Sequence, residues 1–166
     1  MTHTNQTFFN PRYVAMFFFA FNAILFVILT KYTLLSFNQA KILPLWPTLG
    51  LGILIGGFLG NLFGSSIATQ KHWFKTILIG LAMALLALII LTLVLFIYYY
   101  SHRETIFVNL QGIKNYFILA GTLFLSLLLT IGLWLIPLTS LAALYFNRYF
   151  YPRLIKAASD SKPIQK

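Results

Sequence analysis

The chain predicts an all-α polytopic membrane protein, a bundle of four transmembrane helices. Three observations carry that fold class. The 166 residues are 60% hydrophobic and 8% charged, far below the quarter or so of charged residues in soluble domains. The apolar residues fall into four stretches, each long enough to cross a bilayer at ~20 residues per span. Basic residues lie between and beyond those stretches. This gives a lead over 1–12, a four-helix membrane domain over 13–147, and a basic, partly disordered tail over 148–166.

The lead MTHTNQTFFNPR has one charged side chain, Arg12. The apolar run after it is long enough to span, and no small-residue cleavage site follows, so an uncleaved first span is expected from residue 13 to residue 30 or slightly beyond. Pro11 suits a helix start. Phe17, Phe18, Phe19 and Phe21 make the span bulky, and Asn22 is its one strongly polar residue. Residues 31–47 form the first loop, with a semi-apolar middle. Pro44, Trp46 and Pro47 mark the start of the second span, since tryptophan favours the interface.

The second span, GLGILIGGFLGNLFGSSIAT over residues 50–69, organises the chain. Gly52, Gly56, Gly60, Gly64 and Ala68 recur every fourth residue and share a helix face almost without side chains. About 100° round lies a second slim row of Gly57, Asn61, Ser65 and Thr69. Leu51, Ile55, Leu59, Phe63 and Ile67 make a large face, for lipid or bulky neighbours. In lipid, close backbone approach over small residues is what joins helices. The glycine row has three readings: packing within the chain, contact with another copy or protein, and a pore-lining or lipid-binding groove.

Gln70–Trp73 is short enough to force an antiparallel hairpin. The third span runs over about 74–100 and ends in three tyrosines, an aromatic belt. Gly80, Ala82, Ala84 and Ala87 slim its first half, which is expected to pack on the second span. Residues 101–115 form the second loop, with a turn at Gln111-Gly112. The fourth span covers about 116–146 and carries Thr122, Ser126 and Thr130 at helical spacing. At that length it must tilt, kink or run into water. Pro137 is expected to kink it, with Thr139 and Ser140 occupying freed carbonyls.

Loop charges orient the bundle. Arg12, Lys71, Lys75, Arg148, Arg153, Lys156, Lys162 and Lys166 fall on one side, and Lys31, Lys41, Arg103 and Lys114 on the other. The positive-inside rule then puts both termini in the cytoplasm, here of a bacterial inner membrane. The net charge of +10 reads as charge held in water by the bilayer rather than as a nucleic-acid footprint.

The chain offers little chemistry. It has no cysteine, and its only acids are Glu104 and Asp160, which excludes thiolate catalysis, a carboxylate pair and a hard-metal cage. His3, His72 and His102 lie outside the spans, and His102 with Glu104 is a loop pair without the cysteine half of a zinc site. No ionisable residue sits inside a span, as a proton relay would require. No cofactor or metal is expected, and the chain is not read as an enzyme. Asn22 and Asn61 are polar at membrane depth, as substrate contacts, as pore lining or as interhelical hydrogen bonds. Arg148, Arg153 and Lys156, among aromatic residues, either meet anionic lipid or a partner or anchor the topology. The expected function is a non-catalytic scaffold or assembly subunit, working with other membrane subunits or as a homo-oligomer. The alternative is a passive channel or carrier for a small solute.

Overall fold

The computed structural model describes residues 10–33, 45–101 and 113–160, and every described segment is helix except Asn10 and the short 69–72 connection. Helix α1 is Pro11–Thr33, α2 is Leu45–Ala68 and α3 is Trp73–Ser101. A fourth helical run begins with α4, Ile113–Leu127, passes through a π turn at Leu128–Gly132 into α5, Leu133–Tyr145, then through a second π turn at Phe146–Phe150 into α6, Tyr151–Asp160. Four helices are long and apolar enough to cross a membrane, so the chain is a multi-pass, all-α membrane protein.

The helix ends follow local chemistry. Pro11 is the first residue of α1, where a missing N–H costs nothing. The Asn10 side-chain oxygen accepts the Arg12 backbone N–H at 3.1 Å, the geometry of an N-cap. Pro47 falls in the first turn of α2, and the Gln70 N–H closes that helix's other end on the Ile67 carbonyl at 3.3 Å. His72 immediately precedes α3, its carbonyl accepting both the N–H and the hydroxyl of Thr76.

The helices associate as two antiparallel pairs, α1 with α2 and α3 with the fourth run. The slim half of α3 therefore does not pack mainly on α2. Gly80 faces Ser140, Thr139 and Ala143 of α5 instead; a Cβ there would stand 2.7 Å from the Ser140 Cα. The short hairpin fixes α2 and α3 as neighbours in direction, but their meeting is modest because α2 has given its slim face to α1. What lies between the pairs is bulkier. Leu59 and Ile67, from the large face of α2, are buried with Met83, Phe19, Ala143 and Phe146. That face is the core side of the helix, not its lipid side. Large apolar residues dominate the outer surface of the spans, with Phe17, Leu54 and Phe117 at 69%, 71% and 75% exposure, as lipid-facing residues should be.

The fourth run outreaches the expected 116–146. From Ile113 to Ala158 it holds 46 residues, about 69 Å at 1.5 Å per residue, more than twice the ~30 Å hydrocarbon core. Its far end, with Arg148, Arg153 and Lys156 exposed, stands beyond that core. The basic, aromatic first part of the tail is helix, which runs to Asp160; residues 161–166, in the small, polar last part, lie outside the described residues. The helix continues through Pro137. The hydroxyl of Thr139 donates to the carbonyls of Leu135 and Ile136. At the first π turn the buried Gly132 admits Leu88 of α3, whose Cδ1 would lie 3.0 Å from a Cβ. The π turns widen the coil where a neighbour presses in.

Candidate functional site

The glycine row of α2 meets α1. A Cβ at Gly56 would stand 2.7 Å from the Phe19 carbonyl oxygen, at Gly60 2.6 Å from that of Ala15, and at Gly64 2.9 Å from that of Pro11. Ala15 and Ala23 supply the matching small side chains. Gly52 is looser, 3.1 Å from the Val27 side chain, and Ala68 is half-buried against the core. Of the second row, Gly57 meets Met16 at an ordinary 3.6 Å, Ser65 is half-buried, and Asn61 and Thr69 are exposed.

The two membrane-depth asparagines do not join helices. The Asn22 amide donates to Phe18 of its own helix at 2.9 Å, and Asn61 faces outward. The cross-helix bond comes from Asn147, in the second π turn. Its amide donates to the carbonyl of Ile67 and, at 3.0 Å, to that of Gln70. The Ile67 carbonyl belongs to the last turn of α2, where carbonyls lack intrahelical donors, and Gln70 follows in the connection, so Asn147 caps this helix end from another helix. Asn147 was legible as a polar residue only; its partners depend on the fourth run passing the α2–α3 connection.

Thr122, Ser126 and Thr130 all point away from the rest of the chain. The Thr122 and Thr130 hydroxyls donate to the carbonyls four residues back, Ile118 at 2.8 Å and Ser126 at 2.7 Å. Beside them Gly121 has nothing within 4 Å of a built Cβ, and α4 has no buried residue.

Contacts of α1, α2, α3 and α5 gather Arg12, Lys71, Lys75, Arg148, Arg153 and Lys156, all exposed, at one end of the bundle. Lys31 and Lys114 mark the opposite end. Under the basic end lies an aromatic cluster in which Phe18 meets Phe150 at 4.9 Å and Phe146 at 5.2 Å, and Phe146 stacks with Tyr151 at 5.8 Å. Such offset and tilted pairs fix helices without polar groups. The phenylalanine run of α1, visible in the sequence only as bulk, thus ties α1 to the fourth run. Two concavities open here. One, about 450 Å³, is lined by Trp73, Leu144, Arg148 and Tyr149. The other, about 760 Å³, is an apolar groove between α1 and α5 that includes Asn22.

His3, His102 and Glu104 lie outside the described residues, and His72 is exposed in the α2–α3 connection. Among the described residues no three metal-ligating side chains come together. Comparison with protein-family models, curated proteins and solved structures finds no match.

Proposed function

We propose that the protein is a non-catalytic scaffold or assembly subunit of a membrane complex, and that its partner-facing surface is α4. The observation that supports this is the exposed pair Thr122 and Ser126, with the open Gly121 beside them, on a helix with no buried residue, continued by Thr130 in the π turn that follows. Small and hydroxyl-bearing residues at helical spacing are the surface on which membrane helices approach one another. The glycine face of α2, the other such surface, is covered by α1 within the same chain, so it supports the fold rather than a partner. Partners on α4 are other membrane subunits or a second copy. The same reading places both termini in the cytoplasm of a bacterial inner membrane, from the excess of basic residues at one end.

The test is extraction from the native membrane in mild detergent, followed by sizing and identification of whatever accompanies the chain. The parent should migrate as a complex that Ser126→Phe dissociates, while Phe117→Leu, elsewhere on α4, leaves it intact. Migration of the parent as a single chain, together with ion or solute flux through liposomes holding the purified protein, would replace this reading by the passive channel.

A further inference from the structure

We propose that the groove between α1 and α5 holds an acyl chain of an anionic phospholipid, whose headgroup phosphate meets Arg153. The proposal stands apart from the assembly surface on α4. Its first support is the groove itself. Phe18, Phe146 and Phe150 meet at the basic end and hold α1 and α5 apart above them. This leaves about 760 Å³ walled by Phe17, Phe21, Leu138 and Leu141. The volume is that of an ordinary ligand site. Its lone amide, Asn22, donates to its own helix, so the walls suit hydrocarbon.

The second support is a column of side chains at the groove's mouth. Tyr145 lines the groove and stacks on Tyr149 at 5.8 Å. The Arg153 guanidinium lies over the Tyr149 ring, 6.0 Å from its centre. Cation–π contact positions this charge at the end of the bundle that carries the other exposed basic side chains. A guanidinium matches phosphate oxygens in pairs.

Charge complementarity gives the headgroup its sign. Arg12, Lys71, Lys75, Arg148, Arg153 and Lys156 share this end, and Asp160 is the only acid among the described residues. A basic cluster beside a span favours anionic lipid by electrostatics. A partner helix suits the groove less well. Close helix approach needs small residues, and of the ten residues that line the groove only Ala142 has a side chain as small as a methyl group.

The test uses the full chain in phosphatidylcholine vesicles with spin-labelled phosphatidylglycerol or spin-labelled phosphatidylcholine as probe. Lipid held by the protein shows as a slow-motion component. The parent should retain phosphatidylglycerol over phosphatidylcholine. Arg153→Gln, at an exposed position, should reduce that preference about fivefold, while Lys114→Gln at the opposite end leaves it unchanged. Leu138→Trp, which fills the groove and spares Arg153, should reduce the slow component of both probes. Circular dichroism matched to the parent guards against misfolding. An unchanged preference in Arg153→Gln, or an equal loss in Lys114→Gln, would overturn the proposal. So would efficient disulfide formation between two chains carrying Phe17→Cys, since a second copy would then occupy the groove; the chain has no native cysteine to confuse that result.

Discussion

Substituting Gly60 by alanine tests the α1–α2 interface with the smallest change available. The added Cβ would meet the Ala15 carbonyl oxygen at 2.6 Å, and the Ala15 carbonyl carbon and Met16 Cα at 3.0 Å. All three atoms are backbone, so no rotamer can relieve the contact. Ordinary contact begins near 3.4 Å, so α1 and α2 must part locally by about 0.8 Å. A gap of 0.5–1 Å forfeits roughly a quarter to a half of each dispersion contact, and it spreads to Gly56 and Gly64, which sit as closely. Overpacking of this kind costs about 1–3 kcal/mol. Alanine's helix propensity returns up to ~1 kcal/mol, so the net loss is up to about 2 kcal/mol. Gly57→Ala is the internal control, since its Cβ would meet Met16 at 3.6 Å; propensity acts there without the clash. The assay is thermal unfolding of both variants in the same detergent. Gly60→Ala should melt below the parent and Gly57→Ala at or above it. Equal melting of the two would refute close backbone contact along this face.

Removing the Asn147 amide as Asn147→Ala takes the cross-helix donor from the Ile67 and Gln70 carbonyls and leaves Ile67 only its bond from the Gln70 N–H; it should destabilise the bundle by about 1–2 kcal/mol in the same assay, and Asn61→Ala, at an exposed site, should not. Gly80→Leu would drive a side chain into the Ser140 backbone and should separate α3 from α5, read as lost protection from proteolysis, whereas Gly121→Leu should leave the chain folded. Single cysteines at Lys71 and Arg153 should react with an impermeant maleimide from one side of sealed vesicles, the cytoplasmic side, and a cysteine at Lys114 from the other. Labelling of the Lys71 and Lys114 positions from the same side would contradict the hairpin topology.

The number of spans, their approximate limits and the position of the charges were all legible in the sequence. Those features answer to the bilayer, a solvent whose thickness and polarity are known in advance. Asn10, Pro11 and Pro47 also act where they stand, because capping is local. Partner choice was another matter. In water a helix advertises its buried face by hydrophobic periodicity; in lipid, core and surroundings are equally apolar, so only residue size distinguishes them. Slim rows occur on α2, α3 and α4, and nothing local says which meets which. The surface that receives the α2 glycines is Ala15 and Ala23 with the bare backbone beside them, hidden in sequence among phenylalanines. The large face of α2 suited lipid or bulky neighbours equally, and only the fold puts Leu59 and Ile67 among bulky neighbours. Asn147 became a cap only because the fourth run continues past residue 146 and brings its π turn beside the end of α2. Tertiary structure decided these matters because each depends on where two distant backbones come within contact, which no single helix encodes.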